Sequence, residues 1–127
     1  MRTFDPEQIE RDSTIAPVRE LAHYLQETVG QKMTAFLAGL NDPRVVGRWA
    51  SGKNAPQLEN EMRLRYGYRV VRLLTNAYDP STAKAWLFGT NSRLEDRAPI
   101  VMLRETTDIG TMARVFLTAR AFAGAAE

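Results

Sequence analysis

Val18, Leu21, Ala22, Leu25 and Val29 recur at i, i+3, i+4, i+7 and i+11, the spacing of a single apolar stripe on an α-helix. Pro17 opens that helix and Gly30 ends it. A short helix is predicted over residues 31–38, burying Met33, Ala35 and either Leu37 or Phe36 before Gly39 breaks it. A third runs from Pro43 to Ser51, with Asp42 as N-cap, and Gly52 terminates it.

The longest periodic stretch spans residues 57–77. At 100° per residue, Leu64, Tyr66, Tyr68, Val70, Val71, Leu73, Leu74 and Tyr78 spread over a wide arc, while Arg65, Arg69 and Arg72 fall on a narrow strip outside it. A helix so broadly apolar is buried from more than one side, as a spine shared by two lobes or as a dimer interface. Gly67 in its middle costs about 1 kcal/mol of helix propensity relative to Ala, which predicts close packing there. Asp79 and Pro80 then start a helix that Gly89 stops, Pro99 opens another of about two turns, and a last helix begins near Thr107 or Asp108. Its inner face is Met112, Val115, Phe116, Ala119 and Phe122. "VVRLL" and "IVML" have strand-like composition but sit inside helical periods.

The pattern predicts about seven helices and an all-α fold: a helix-turn-helix lobe joined by a long helix to a small helical C-terminal lobe. The expected divisions are an N-terminal arm over 1–16, the helix-turn-helix lobe over 17–56, a connecting helix over 57–78 and the C-terminal lobe over 79–127.

Composition narrows the chemistry. The chain has 127 residues, 44% of them apolar, which suffices for a folded core. It has no Cys, which excludes disulfides, thiolate zinc sites and Cys nucleophiles and fits a reducing compartment. No apolar run reaches the roughly 18 residues needed to cross a bilayer, and "MRTFDPEQIERDST" has no signal-peptide core, so the expected location is the cytoplasm. His23 is the sole His, no carboxylates pair at catalytic spacing, and no Gly-rich phosphate loop occurs. The reading is of a non-enzymatic protein with neither cofactor nor metal.

Net charge is only +2, but residues 44–72 carry seven basic and two acidic groups, while residues 1–27 carry three and six. A concentrated basic stretch suits a polyanion partner or, equally, a solvated helix surface. The predicted helices 31–38 and 43–51 give it a form. Ala35 lets two helices cross closely, Gly39 takes the turn, and Val46 and Trp49 pack back on the core. Arg44, Val45, Arg48 and Asp42 are left facing a DNA groove, Gln31 is placed for a phosphate at the start of its helix, and Lys53 and Asn54 for the backbone. The alternative is a helix-turn-helix kept only as scaffold or dimer interface. This half resembles the Xre-type, phage-repressor-like helix-turn-helix, with the turn "LNDP" one residue longer than that family's usual spacing.

The stretch "AWLFGTNSRLEDRAPIVMLRETTD" resembles the C-terminal module of the Xre/MbcA/ParS antitoxin family. Its matching positions are Trp86, Leu87, Asn91, Leu94, Asp96, Arg97, Pro99 and Leu103, with "EDRAP" standing where many members have a Gly at or beside Asp96. Together with the helix-turn-helix, the resemblance covers about residues 18–124. It implies an antitoxin that represses its own operon and holds a toxin, usually a RES-domain enzyme acting on NAD; a homodimer is expected because paired half-sites suit one short recognition helix per chain. The expected toxin-binding residues are Trp86, Asn91, Leu94, Arg97 and Pro99 in this stretch, with Phe116, Arg120 and Phe122 on the apolar terminal helix. Read structurally, Trp86, Leu87, Phe88 and Leu94 are core and Asn91 is a turn residue, which is compatible with toxin binding. The small-residue tail "ARAFAGAAE" is either an element that enters a cleft of the partner or a frayed terminus. A solitary DNA-binding regulator and a purely structural oligomerisation protein are the remaining alternatives.

Overall fold

The computed structural model describes residues 5–125, and among them the chain is all-α. The helices are α1 (Pro6–Ile15), α2 (Val18–Val29), α3 (Gln31–Ala38), α4 (Arg44–Ala50), α5 (Leu58–Ala77), α6 (Pro80–Phe88), α7 (Pro99–Glu105) and α8 (Ile109–Gly124), with a 3₁₀ turn over Ser92–Leu94. The two strand-like stretches lie within α5 and α7, where helical period overrides β propensity. No helix among the described residues is long and apolar enough to cross a membrane.

Sequence-local chemistry sets most boundaries. Asp79 and Asp108 accept hydrogen bonds from the Thr82 and Thr111 amides at 2.8 and 2.9 Å, capping α6 and α8. Gly39 ends α3 in the left-handed conformation (φ 85°), with the Leu40 amide donating back to Ala35 O at 2.8 Å.

α5 packs against α1, α2, α3, α6, α7 and α8, so it is covered from more than one side. Its Leu64, Val70, Val71, Leu73 and Leu74 are fully buried. The core is one connected cluster running from Ile9 to Ala123, and α7 packs directly on α3, joining the C-terminal helices to the α3–α4 pair.

The N-terminal arm differs from expectation, because most of it is a helix. Asp5 caps α1, Pro6 takes its first turn, and Ile9 and Ser13 face α5. The arm has no apolar stripe to betray this, since polar contacts dock it. Arg65 Nη1 donates to Ser13 O (2.7 Å) and Ala16 O (2.9 Å), and Arg69 Nε donates to Ser13 Oγ (2.5 Å). Residues 1–4 of the predicted arm and 126–127 of the tail lie outside the described residues.

Candidate nucleic-acid interface and partner-binding face

The α3–turn–α4 unit is built from the inside outward. Val46 and Trp49 are buried on the inner face of α4, and the helix packs on α2 and α3. A Cβ at Gly47 would lie 2.9 Å from Nε2 at the end of the exposed Gln31 side chain, which would have to swing aside. Arg44 and Arg48 project into solvent as expected, the Arg44 side chain being 80% exposed. Val45 is half-buried against the core and does not belong wholly to the outer face. Gln31 is exposed at the start of α3, where its amide donates to Gln26 Oε1 at 2.8 Å.

Asp42 is an organiser of this surface. Its Oδ1 accepts from the Arg44 amide (3.0 Å) and from Arg44 Nε (3.1 Å), while Oδ2 accepts from Nη2 (3.1 Å). The Arg44 side chain, then its backbone amide, hold the Asp42 carboxyl below its ordinary pKa, and the carboxylate raises that of Arg44. Beyond α4, Gly52 turns the chain at φ 79°, and the amides of Lys53 and Asn54 donate to Arg48 O at 2.9 and 3.4 Å. Both side chains are thereby held, exposed, beside the end of α4.

The basic stretch is less uniform than its charge implies. Arg63 donates to Thr106 O, Arg65 and Arg69 dock α1, and Arg72 lies over the rings of Tyr24 and Tyr68. These four guanidiniums tie helices together. The cations left for a polyanion within this stretch are Arg44, Arg48 and Lys53, which sequence spacing alone does not separate from the others. Arg19, whose Cδ would lie 3.9 Å from a Cβ at Gly52, brings a further cation from α2.

In the C-terminal half, four expected contact residues are core. Leu94, Pro99 and Phe116 are buried, and Trp86 is nearly so, because each fills space between α6, α7 and α8. They line the interior and do not supply an outer contact surface. Asn91, Arg97, Arg120 and Phe122 are accessible. Asn91 organises the loop between α6 and α7: its Oδ1 accepts from the Arg93 amide at 2.9 Å, and its amide donates to Arg97 O at 3.2 Å. Within that loop Glu95 and Asp96 have φ of 59° and 61°, a left-handed conformation that glycine adopts at least cost.

The structure brings Trp86, Asn91 and Phe122 to one groove of about 280 Å³, walled also by Ser92, Arg93, Thr118 and Ala121. Phe122 stands 37% exposed at its rim, 4.9 Å from the Tyr78 ring and 6.2 Å from Trp86 between centroids. Phe88, which the structural reading of the sequence places in the core, is instead 58% exposed, as is Leu117, because both lie off the apolar stripes of their helices. The supposed tail is helical as far as Gly124. His23 is exposed, and no group of three or more metal-ligating side chains forms among the described residues.

No family model matches the chain, and no solved structure does. Among curated proteins it is similar to the mycobacterial cidal antitoxin MbcA of Mycobacterium tuberculosis and of Mycobacterium bovis. The identity is 31% over 93 residues, which cover 73% of this chain and 77% of the relative. With that identity sustained over more than two thirds of both chains, this protein belongs to the MbcA antitoxin family.

Proposed function

We propose that the chain is the antitoxin of a two-component system, neutralising a cognate toxin through the face around the Trp86–Asn91–Phe122 groove and repressing its own operon through α3 and α4. The observation that carries the antitoxin reading is the likeness to proteins named as mycobacterial cidal antitoxins. The groove supports the location: it couples an accessible aromatic rim to rigid buried walls, the arrangement in which a few residues dominate protein–protein affinity. The motif resemblance adds a RES-type, NAD-consuming enzyme as the partner.

For the DNA half, the supporting features are a short helix with Arg44 and Arg48 outward and Lys53 and Asn54 beside its end. A homodimer on a palindrome suits one such helix per chain.

The test is expression of the neighbouring gene with and without this chain, scoring growth and intracellular NAD. Toxicity with NAD loss, reversed by this chain, is the expected result. A neighbour that is harmless alone would leave a solitary regulator in place of the antitoxin; toxicity without NAD loss would remove the RES-type assignment only.

A further inference from the structure

The turn between α3 and α4 is held from outside the helix-turn-helix. Arg104, in the last turn of α7, reaches across to it: Nη1 donates to Phe36 O (2.9 Å) and Leu40 O (3.0 Å), and Nη2 donates to Asn41 Oδ1 (2.9 Å). Its guanidinium carbon stands 4.5 Å from the centroid of the Phe36 ring. One planar group thus spans from the last turn of α3 to the residue directly before Asp42, whose carboxylate orients Arg44, the first residue of α4, although Pro43 and not Asp42 is that helix's N-cap.

The other ties of this turn are shorter in reach. Leu40 and Gly39 amides close the end of α3 on Ala35 O and Phe36 O, and Asn60 Nδ2 takes Ala38 O at 2.8 Å. None of these engages Leu40 O or the Asn41 side chain. α7 itself is anchored at the same end, with Arg63 Nε on Thr106 O at 3.0 Å and Arg97 Nη2 on Glu105 Oε1 at 2.6 Å. Arg104 therefore projects from a fixed base.

We infer that Arg104 is a positioning residue for DNA reading: it fixes the α3–α4 turn and with it the orientation of α4, so the DNA-reading unit includes α7. This rests on the DNA-binding part of the proposed function. A guanidinium suits the task because its donors form a rigid fork with charge-assisted bonds, whereas an ammonium is a point charge that cannot span the two carbonyls and the amide in one plane.

The test compares the full-length wild type with Arg104→Lys and Arg104→Met. Binding to the DNA immediately upstream of the gene is measured against a random duplex, with amide hydrogen exchange and toxin neutralisation in parallel. Both variants should lose about tenfold or more of the preference for upstream DNA while random-duplex affinity stays near wild type. Exchange should quicken at residues 39–46 and not in α8, and neutralisation should persist. Native preference in Arg104→Met overturns the inference, as does exchange quickened throughout the molecule, which would make Arg104 a general stabiliser. A wild type that does not distinguish the two DNAs fails the DNA-binding reading itself, visibly before any variant is made, and the inference falls with it.

Discussion

A Cβ built on Gly67 would lie 2.5 Å from Leu37 Cδ1 and 3.2 Å from its Cδ2. The spine helix α5 and α3 touch with nothing between them but a missing side chain. Ala at this position gains about 1 kcal/mol of helix propensity but forces a fully buried leucine to move in a filled core, where overpacking costs about 1–3 kcal/mol. Gly67→Ala is therefore expected to destabilise by about 1 kcal/mol, read as a lower urea midpoint with an unchanged slope. A midpoint at or above wild type would mean that Leu37 rotates away at no cost.

The Asp42–Arg44 pair gives a second prediction. Asp42→Asn keeps an acceptor for the Arg44 amide but removes the carboxylate that orients the guanidinium and sits beside the expected phosphates. Random-duplex binding should tighten and its logarithmic salt slope should steepen by up to about 1, because a freed cation can displace a further counterion. Preference for the native upstream DNA should fall, since Arg44 is no longer pre-aimed. Filter binding at several salt concentrations measures both. An unchanged salt slope would show that Arg44 meets no phosphate.

Where a helix is held by an apolar stripe or a local cap, it was readable from its own residues: α2 from Val18 to Val29, α6 and α8 from Asp79 and Asp108, the close packing at Gly67. What was not readable depends on partners distant in sequence. α1 is docked by Arg65 and Arg69, residues that look in sequence like part of a basic face for DNA. Arg104 reads as the end of an amphipathic segment until its contacts with Phe36, Leu40 and Asn41 are seen. The candidate sites divide the same way. Outward positions on α4 follow from helical period, whereas motif positions such as Leu94 and Pro99 mark a recurring fold and carry no signal that separates a buried wall from a contact surface.

The caps predict how stability responds to acid. Thr111 lowers the Asp108 pKa by its side-chain and then its backbone hydrogen bond, and Thr82 lowers that of Asp79 chiefly through its amide. With folded values below the ordinary 3.8, both carboxylates contribute fully above that pH, and the contribution is lost as pH falls through the folded values. Asn at both positions retains a cap that does not titrate. The double variant Asp79→Asn with Asp108→Asn should be slightly less stable than wild type at neutral pH, where the negative charge favours a helix N-terminus. The gap should close below pH 3.8. Thermal unfolding across a pH series checks this; parallel curves at all pH values would show that the caps do not titrate with folding.

Phe122 and Leu94 separate a binding contact from a supporting wall. Leu94 is fully buried beneath the Asn91–Arg97 loop, so Leu94→Ala should cost about 2–5 kcal/mol of stability as a core cavity. Whatever fraction remains folded should still bind the toxin with near-native affinity. Phe122 stands at the rim beside Tyr78 and Trp86 with more than a third of its surface exposed. Truncating it removes only part of a buried ring, so Phe122→Ala should lower stability by about 1–2 kcal/mol, below the cost of a fully buried Phe. If it anchors the partner, the same change should weaken binding by at least about 2 kcal/mol, roughly 30-fold. Calorimetric titration of the toxin into each variant, well below its melting temperature, distinguishes the two effects. Wild-type affinity in Phe122→Ala would move the toxin contact off this groove and toward other exposed apolar side chains of the C-terminal half, such as Phe88, Ile109 and Leu117.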